Sequence, residues 1–263
     1  MQETFETLRG ALNTLTPEDM ELIFEETRRA AEELNGEEVP QDWFNRRILL
    51  RFKAKKYSQI PVQELIAHCL WVLKYDGTPT PNRVRLVPNE AQSCALARLE
   101  SDSMVSELPK HRQEGITAIL AAFCAVRMYL SKTKIVFFSP NGESKRHVTG
   151  AVLEFLQQLD ASLELTTEDG VFTARSVSNG YIRLYNGSEI RFYTGLQVEP
   201  LRGLGEVDYV IFDESDYIKN ICDLNAQARI AVRENGKVFN TYTIDEKFFN
   251  EGTPKRPMTI NFF

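Results

Sequence analysis

Cysteine is scarce in this 263-residue chain, and Cys69, Cys94, Cys124 and Cys222 stand far apart with no CxxC spacing. That argues against a disulfide framework or a zinc site and leaves reduced, mostly buried thiols as the expectation. Histidine is scarcer still: His68, His111 and His147 share no metal-ligand spacing, and His68 lies among apolar residues where a core histidine belongs. No apolar run reaches the roughly 18–20 residues that cross a bilayer. The acidic N-terminus does not resemble a secretory signal, so a soluble intracellular protein without membrane contact is expected. There is neither a GxSxG elbow nor a nucleophilic Cys–His signature. Basic charge is not in excess: 31 Lys and Arg against 37 Asp and Glu give a net charge of -6, which argues against a small, uniformly basic nucleic-acid binder. A local contact surface remains compatible with that balance.

Apolar residues make up 43% of the chain, enough for one large domain, or one domain with a smaller appendage. Charge is uneven. Residues 1 to 38 carry eleven acidic and three basic side chains, whereas Arg46, Arg47, Arg51, Lys53, Lys55 and Lys56 crowd one short stretch. That stretch reads as a solvated helix face or, alternatively, as a contact for phosphate backbone. Thr16-Pro17-Glu18-Asp19 opens a helix: Thr16 caps it, Pro17 takes the first helical position, and acids sit at the positive dipole end. Asn35-Gly36 closes it. Further helices are expected over about 41 to 56 and 61 to 75. Trp43 and Trp71, at helical positions, read as core and not as base-stacking platforms. Asp76-Gly-Thr-Pro-Thr-Pro-Asn82 then interrupts both helix and strand. The expected division is a helical N-terminal appendage over 1–76 and a second domain over 77–263.

Beyond that boundary strands and helices alternate, which predicts an α/β fold with a mostly parallel central sheet flanked by helices. Ala118 to Leu130 and His147 to Leu159 read as helices, and Ile135 to Phe138 as a buried strand. Asn186-Gly187 marks a hairpin turn within 180–193. Val207 to Phe212 is apolar almost throughout, as a strand covered on both faces is. Val238 to Thr243 reads as the last core strand.

Two segments carry chemistry. Leu108-Pro-Lys-His-Arg-Gln-Glu-Gly-Ile-Thr117 reads as a phosphate-binding loop. Gly115 lets backbone N–H groups approach an anion, and the Thr117 hydroxyl can join the shell of a metal. The lysine that normally follows the last glycine of such a loop is missing, because Ile116 stands there. Lys110 sits where the loop begins, and a loop curled around phosphates brings its first residue near its last. Arg112 offers a guanidinium for charge on a transferring phosphoryl group. The second segment is Tyr209-Val-Ile-Phe-Asp-Glu214, a strand whose carboxyl end presents Asp213 for a metal and Glu214 for activating water.

Arg112-Gln113-Glu114-Gly115-Ile116-Thr117 resembles the RQxGKT loop of large terminase subunits, the DNA-packaging ATPases of tailed bacteriophages. Residues 182–190 resemble the NGS hairpin of many of them, and Leu201-Arg-Gly203 followed by Asp208 to Glu214 resembles their RG segment leading into DE. Some members of that family lack the usual lysine and carry one at the loop's start, as Lys110 does here. The resemblance covers roughly residues 85 to 260. It implies an additional-strand, RecA-like P-loop NTPase that takes ATP and Mg²⁺. Gln92 would read adenine with its side-chain amide. Lys110, Arg112, Gln113, Glu114, Gly115, Ile116 and Thr117 would form the nucleotide loop. Thr117 and Asp213 would hold the metal, and Lys110, Arg112 and Glu214 would serve catalysis. Thr241, in Phe239-Asn-Thr-Tyr-Thr243, resembles the motif that senses the γ-phosphate. The implied partners are double-stranded DNA, further copies in a ring on a portal, and a small terminase subunit, in the host cytoplasm. Whole large terminases continue into a nuclease domain. After Thr243 only twenty residues remain, so the expectation is the ATPase part alone. Two alternatives stand beside this: a helicase-like DNA translocase, and a non-catalytic nucleotide- or DNA-binding module whose loop has decayed at Ile116.

Overall fold

The computed structural model describes residues 16–32, 46–48, 50–51, 54–55, 57–74, 82–111, 114–162, 174–178, 180–195, 201 and 205–244. Helix α1 (Pro17–Glu32) begins as its sequence dictates. The Asp19 N–H donates to Thr16 Oγ1 at 3.1 Å, and the Thr16 N–H donates back to Asp19 Oδ2 at 3.2 Å. Asn35-Gly36 and Trp43 lie outside the described residues, as does most of the 75–81 boundary. The described residues between 46 and 57 are helical.

The helix expected over 61 to 75 stops early. Helix α2 spans Val62–Cys69, and the chain then extends as β1 (Trp71–Lys74), paired antiparallel with β2 (Asn82–Arg85). A distant side chain accounts for this. Gln158 accepts the Trp71 N–H at 2.6 Å and donates to the Trp71 carbonyl at 3.1 Å, a pairing that only extended backbone can offer. Trp71 is half-buried, with the Arg85 guanidinium 4.1 Å from its ring centroid. It is not a core residue.

Helix α3 (Glu90–Glu100), strand β3 (Val105–Lys110) and helix α4 (Ile116–Leu130) follow. Next come β4 (Lys134–Ser139), α5 (Gly142–Ser162) and the strands β5 (Ala174–Ser178), β6 (Tyr181–Leu184) and β7 (Glu189–Thr194). The chain continues with β8 (Val207–Phe212), a 3₁₀ turn (Ser215–Tyr217), α6 (Ile221–Ala231) and β9 (Val232–Thr243). Helix α5 starts five residues before the expected His147, because Asn141 Oδ1 accepts the N–H groups of Glu143 and Ser144 at 3.0 and 2.9 Å.

The main sheet has seven strands in the order β3-β9-β8-β4-β7-β6-β5. From β3 to β7 neighbours run parallel, and β6 and β5 are antiparallel additions. Strand β9 is thus inserted between β3, which leads into the phosphate-type loop, and β8, which ends in the carboxylate pair. That is the additional-strand arrangement of a RecA-like P-loop NTPase. β9 begins six residues before the expected Val238. Its pairing with β8 jumps from Val207↔Val232 to Tyr209↔Lys237, so Glu234-Asn235-Gly236 bulges out of the ladder.

Two apolar layers sandwich the sheet. One joins α2, α3, α4 and α5 to Phe137, Ile190, Phe192, Ile211 and Phe239. The other packs Val136, Phe138, Val210, Phe212 and Val238 against Ile218, Leu224 and Ala228. Strands β4 and β8 contribute to both layers, which is why their sequences are nearly continuously apolar. Leu50, Tyr57 and Ile60 belong to the first layer, so part of the N-terminal helical region shares a core with the sheet. The Asn186-Gly187 turn is likewise structural: Asn186 donates to the Met128 carbonyl at 2.7 Å, and the Ser188 hydroxyl to those of Met128 and Ser131 at 2.9 and 2.7 Å. The hairpin therefore closes the carboxyl end of α4. Cys69 and Cys124 are buried, whereas Cys94 and Cys222 are exposed, and all four are unpaired thiols. Among the described residues no helix is long and apolar enough to cross a membrane.

Candidate active site

Strand β3 delivers Lys110 as its last residue, level with Thr243 of β9. The chain then turns through the loop and enters α4 at Gly115, whose φ of 70° is left-handed. That conformation favours glycine, and a Cβ there would also displace the Gln92 amide, whose Nε2 lies 2.7 Å away. Ile116 is 2% exposed and part of the main core. A lysine in its place would lose the packing that seats the first turn of α4.

Lys110 brings a cation to this edge of the sheet. This side chain is buried, and its Nζ lies 2.8 Å from Asp213 Oδ1 and 3.7 Å from Glu214 Oε1. Asp213 is the hub. It also accepts the Thr117 hydroxyl on Oδ2 at 2.6 Å and the Thr241 hydroxyl on Oδ1 at 2.7 Å. Thr241 in turn accepts the backbone N–H of Glu214 at 3.0 Å. That bond holds Glu214 in a left-handed conformation, φ 52°, uncommon for a residue with a side chain. Five predicted residues from three separate segments thus meet at the carboxyl ends of β3, β9 and β8.

The loop is braced from outside. Gln92 Nε2 donates to the carbonyls of Glu114 and Gly115 at 3.0 and 3.2 Å, while its Oε1 accepts the Asn89 N–H at 3.0 Å. The Glu114 carboxylate accepts the His111 N–H at 2.8 Å. Arg112 and Gln113 lie outside the described residues. Beside this framework opens a cavity of about 500 Å³, lined by Lys110, Gly115, Thr117, Asn141, Glu214 and Tyr217 among others. Asn141, Tyr217 and the further lining residues Pro140 and Thr243 went unnoticed in the sequence. Pro140 and Asn141 were detectable in principle, because they follow a buried strand that ends on the same edge as the carboxylate pair. Asp216 accepts the Thr243 N–H at 3.4 Å, and partial burial pushes its carboxyl above the usual range although Lys110 pulls the other way.

Thr117 and Asp213 together offer a hydroxyl and a carboxylate, the hard oxygen donors that suit Mg²⁺. The Lys110 ammonium supplies positive charge against the same carboxylate. The described basic residues of the 46–56 stretch face protein groups. Arg47 donates to the Tyr185 carbonyl at 2.6 Å, Arg46 lies over the Tyr185 ring, Arg51 pairs with Glu26, and Lys55 lies 3.2 Å from Asp19. These side chains dock the N-terminal helical region onto α1 and the hairpin.

No protein-family model matches the chain, and no curated protein sequence does. Solved structures do. The large terminase of bacteriophage HK97 superposes with a TM-score of 0.51 at 15% identity, over 69% of this chain and 37% of that one. In fold, the chain is similar to this phage terminase. The ATPase domain of the Thermus phage P74-26 large terminase matches at 16% identity over 60% of this chain and 65% of that one, with a TM-score of 0.45. Dbp5 of Saccharomyces cerevisiae matches at 16% identity over 61% and 44%, with a TM-score of 0.41. The fold likeness is carried by the HK97 terminase, of whose length this chain spans little more than a third.

Proposed function

We propose that this chain is the ATP-hydrolysing part of a viral DNA-packaging motor, which drives double-stranded DNA into a prohead. The observation that carries the reading is the knot of Lys110, Thr117 and Thr241 around Asp213, with Glu214 beside it on the cavity. Such a knot gives one cation, one carboxylate hub and one projecting carboxylate to a single pocket. Backbone N–H groups at the start of α4 cradle the phosphates, and Lys110 turns from Asp213 to their outer oxygens. Thr117 and Asp213 would hold Mg²⁺, which when bound offsets the phosphate charge. Glu214 orients a water and takes its proton as the oxygen–γ-phosphorus bond forms and the bond to the leaving diphosphate breaks. Arg112 adds charge to the transferring group. Thr241, bonded to both Asp213 and Glu214, relays phosphate loss into the sheet. The partners proposed with this role are further copies in a ring, a portal and a small terminase subunit, acting in the host cytoplasm.

The test is ATP turnover and ATP binding by wild type and Glu214→Gln. Wild type is expected to hydrolyse ATP, and the variant to bind it with turnover lower by roughly 10²- to 10⁴-fold, the range of a lost general base. A wild type that binds no nucleotide, or never turns it over with DNA present, would sink the proposal in favour of a decayed module.

A further inference from the structure

Strands β6 and β7 carry a ladder of polar side chains on one face. Cross-strand partners share a face, so Tyr181 projects with Arg191, and Arg183 with Glu189. Tyr193 joins them two residues along β7. The opposite face of the same strands gives Ile182, Leu184, Ile190 and Phe192 to the main core. On the polar face the second apolar layer reaches only as far as Tyr193, and no residue of β6 belongs to it. A cavity of about 350 Å³ opens there between Gly180, Tyr181, Arg191 and Tyr193.

Its chemistry is cationic and aromatic. The Arg191 guanidinium lies 5.5 Å from the Tyr181 ring centroid and 3.6 Å from Glu189, whose cross-strand partner is Arg183. The Nε atoms of Arg183 and Arg191 are buried, and neither has an acceptor among the described residues. Lys145, in the first turn of α5 on the opposite face of the sheet, brings its Nζ to within 2.8 Å of where a Cβ would stand on Gly180.

These features select a partner. Guanidiniums and tyrosines, continued on β5 by Ser176 and Ser178, include no aliphatic side chain, whereas a protein interface needs an apolar centre. Interfaces with nucleic acid are polar and positively charged. Position agrees with chemistry. Tyr193 is level with Phe138 and Phe212, so the cleft begins two strands, about 10 Å, from the tip that bears Asp213. Helix α5 begins beside Asn141, which lines the nucleotide cavity, and one turn later its Lys145 lies near Gly180.

We infer that this face holds the phosphate backbone of double-stranded DNA, with Arg183 and Arg191 as phosphate ligands beside Tyr181 and Tyr193. The inference rests on the packaging-motor reading. Its test is the binding of a labelled DNA duplex across a salt series by wild type, Arg183→Gln/Arg191→Gln and Arg183→Lys/Arg191→Lys, with nucleotide affinity measured in parallel. The glutamine pair is expected to bind duplex at least about tenfold more weakly, with a log–log salt slope shallower by about 1–2, since each lost phosphate contact removes roughly 0.9. The lysine pair is expected to keep most of the affinity and slope, and both to keep nucleotide affinity. Duplex binding and slope unchanged in the glutamine pair would overturn this face while leaving the motor reading intact. Loss of self-association with duplex binding retained would assign the face to a second copy and overturn it too. A wild type that binds nucleotide but no duplex would remove both the face and the motor reading.

Discussion

Lys110 Nζ and Asp213 Oδ1 stand 2.8 Å apart, although 103 residues separate them in the chain and both side chains are almost fully buried. Removing one member of a buried ion pair leaves the other uncompensated, at a cost of about 3–5 kcal/mol. Lys110→Ala is therefore expected to lower unfolding free energy by about that amount and to abolish ATP turnover. Asp213→Asn on the same background removes the stranded charge and is expected to recover about 1–3 kcal/mol as coupling. Urea unfolding of the four proteins in the cycle measures this. Strictly additive losses would mean that the two side chains do not interact in solution.

Thr241 makes two bonds of different kinds, donating to Asp213 and accepting from the Glu214 N–H. Thr241→Val keeps the shape and removes both. The stability loss is expected to be about 1–3 kcal/mol, because a buried N–H loses its acceptor. Turnover should fall further than nucleotide affinity does, since the left-handed turn at Glu214 loses its anchor. Steady-state kinetics beside direct nucleotide binding separates the two, and a variant with an unchanged turnover number would show that Glu214 is positioned by something else.

What was legible in the sequence was whatever local pattern fixes. The apolar runs of β4 and β8 announced strands buried on both faces, and the cap at Thr16 announced α1. Lys110, Thr117 and Asp213 were recognisable because loop and strand-tip chemistry each constrain residue type, whereas Thr241 was reached only through the resemblance to the terminase motif. What escaped depended on distant partners. Trp71 extends into a strand because Gln158, far along the chain, bonds both sides of its peptide. The basic stretch read as a solvated helix face or a phosphate contact, and what could not be read was that Glu26, Asp19 and the Tyr185 carbonyl engage Arg51, Lys55 and Arg47. The polar face of β6 and β7 was hidden for the same reason, since Arg183 and Arg191 become neighbours only through strand pairing.

Gln92 spends its amide on the loop, with Nε2 on the Glu114 and Gly115 carbonyls and Oε1 on the Asn89 N–H. A side chain so engaged shapes the phosphate cradle whatever base the nucleotide carries. Gln92→Ala is expected to weaken ATP, GTP and inorganic tripolyphosphate by similar factors, on the order of tenfold for the loss of two hydrogen bonds. Competition binding with the three ligands reads this directly. A loss confined to ATP would return Gln92 to adenine reading.

Asp216 supplies a pH signature. Its carboxyl is raised by partial burial, so the folded state favours the protonated form more than the unfolded chain does. The contribution is present below the unfolded carboxylate range and is lost as pH rises through the elevated folded value. Asp216→Asn cannot titrate and keeps an oxygen for the Thr243 N–H. The variant is therefore expected to gain stability relative to wild type as pH increases from about 4 to 7. Paired urea titrations at the two ends check the sign, and a variant that loses ground toward neutral pH would mean that Lys110 dominates this carboxyl.

Asn186 tests whether the hairpin is scaffold or machinery. It is fully buried and donates to the Met128 carbonyl at the end of α4, while its Oδ1 accepts the Ser188 N–H at 2.9 Å. Helix α4 begins at Gly115 on the cavity and ends under this turn, so the hairpin fixes the helix from the end remote from nucleotide. Asn186→Ala leaves the buried Ser188 N–H without its acceptor, at about 1–3 kcal/mol, and leaves the Met128 carbonyl to the Ser188 hydroxyl alone. The expected result is a lower unfolding midpoint with nucleotide affinity nearly unchanged well below that midpoint. If affinity falls at temperatures where circular dichroism shows the variant fully folded, the turn transmits to the phosphate loop through α4 and is part of the working site.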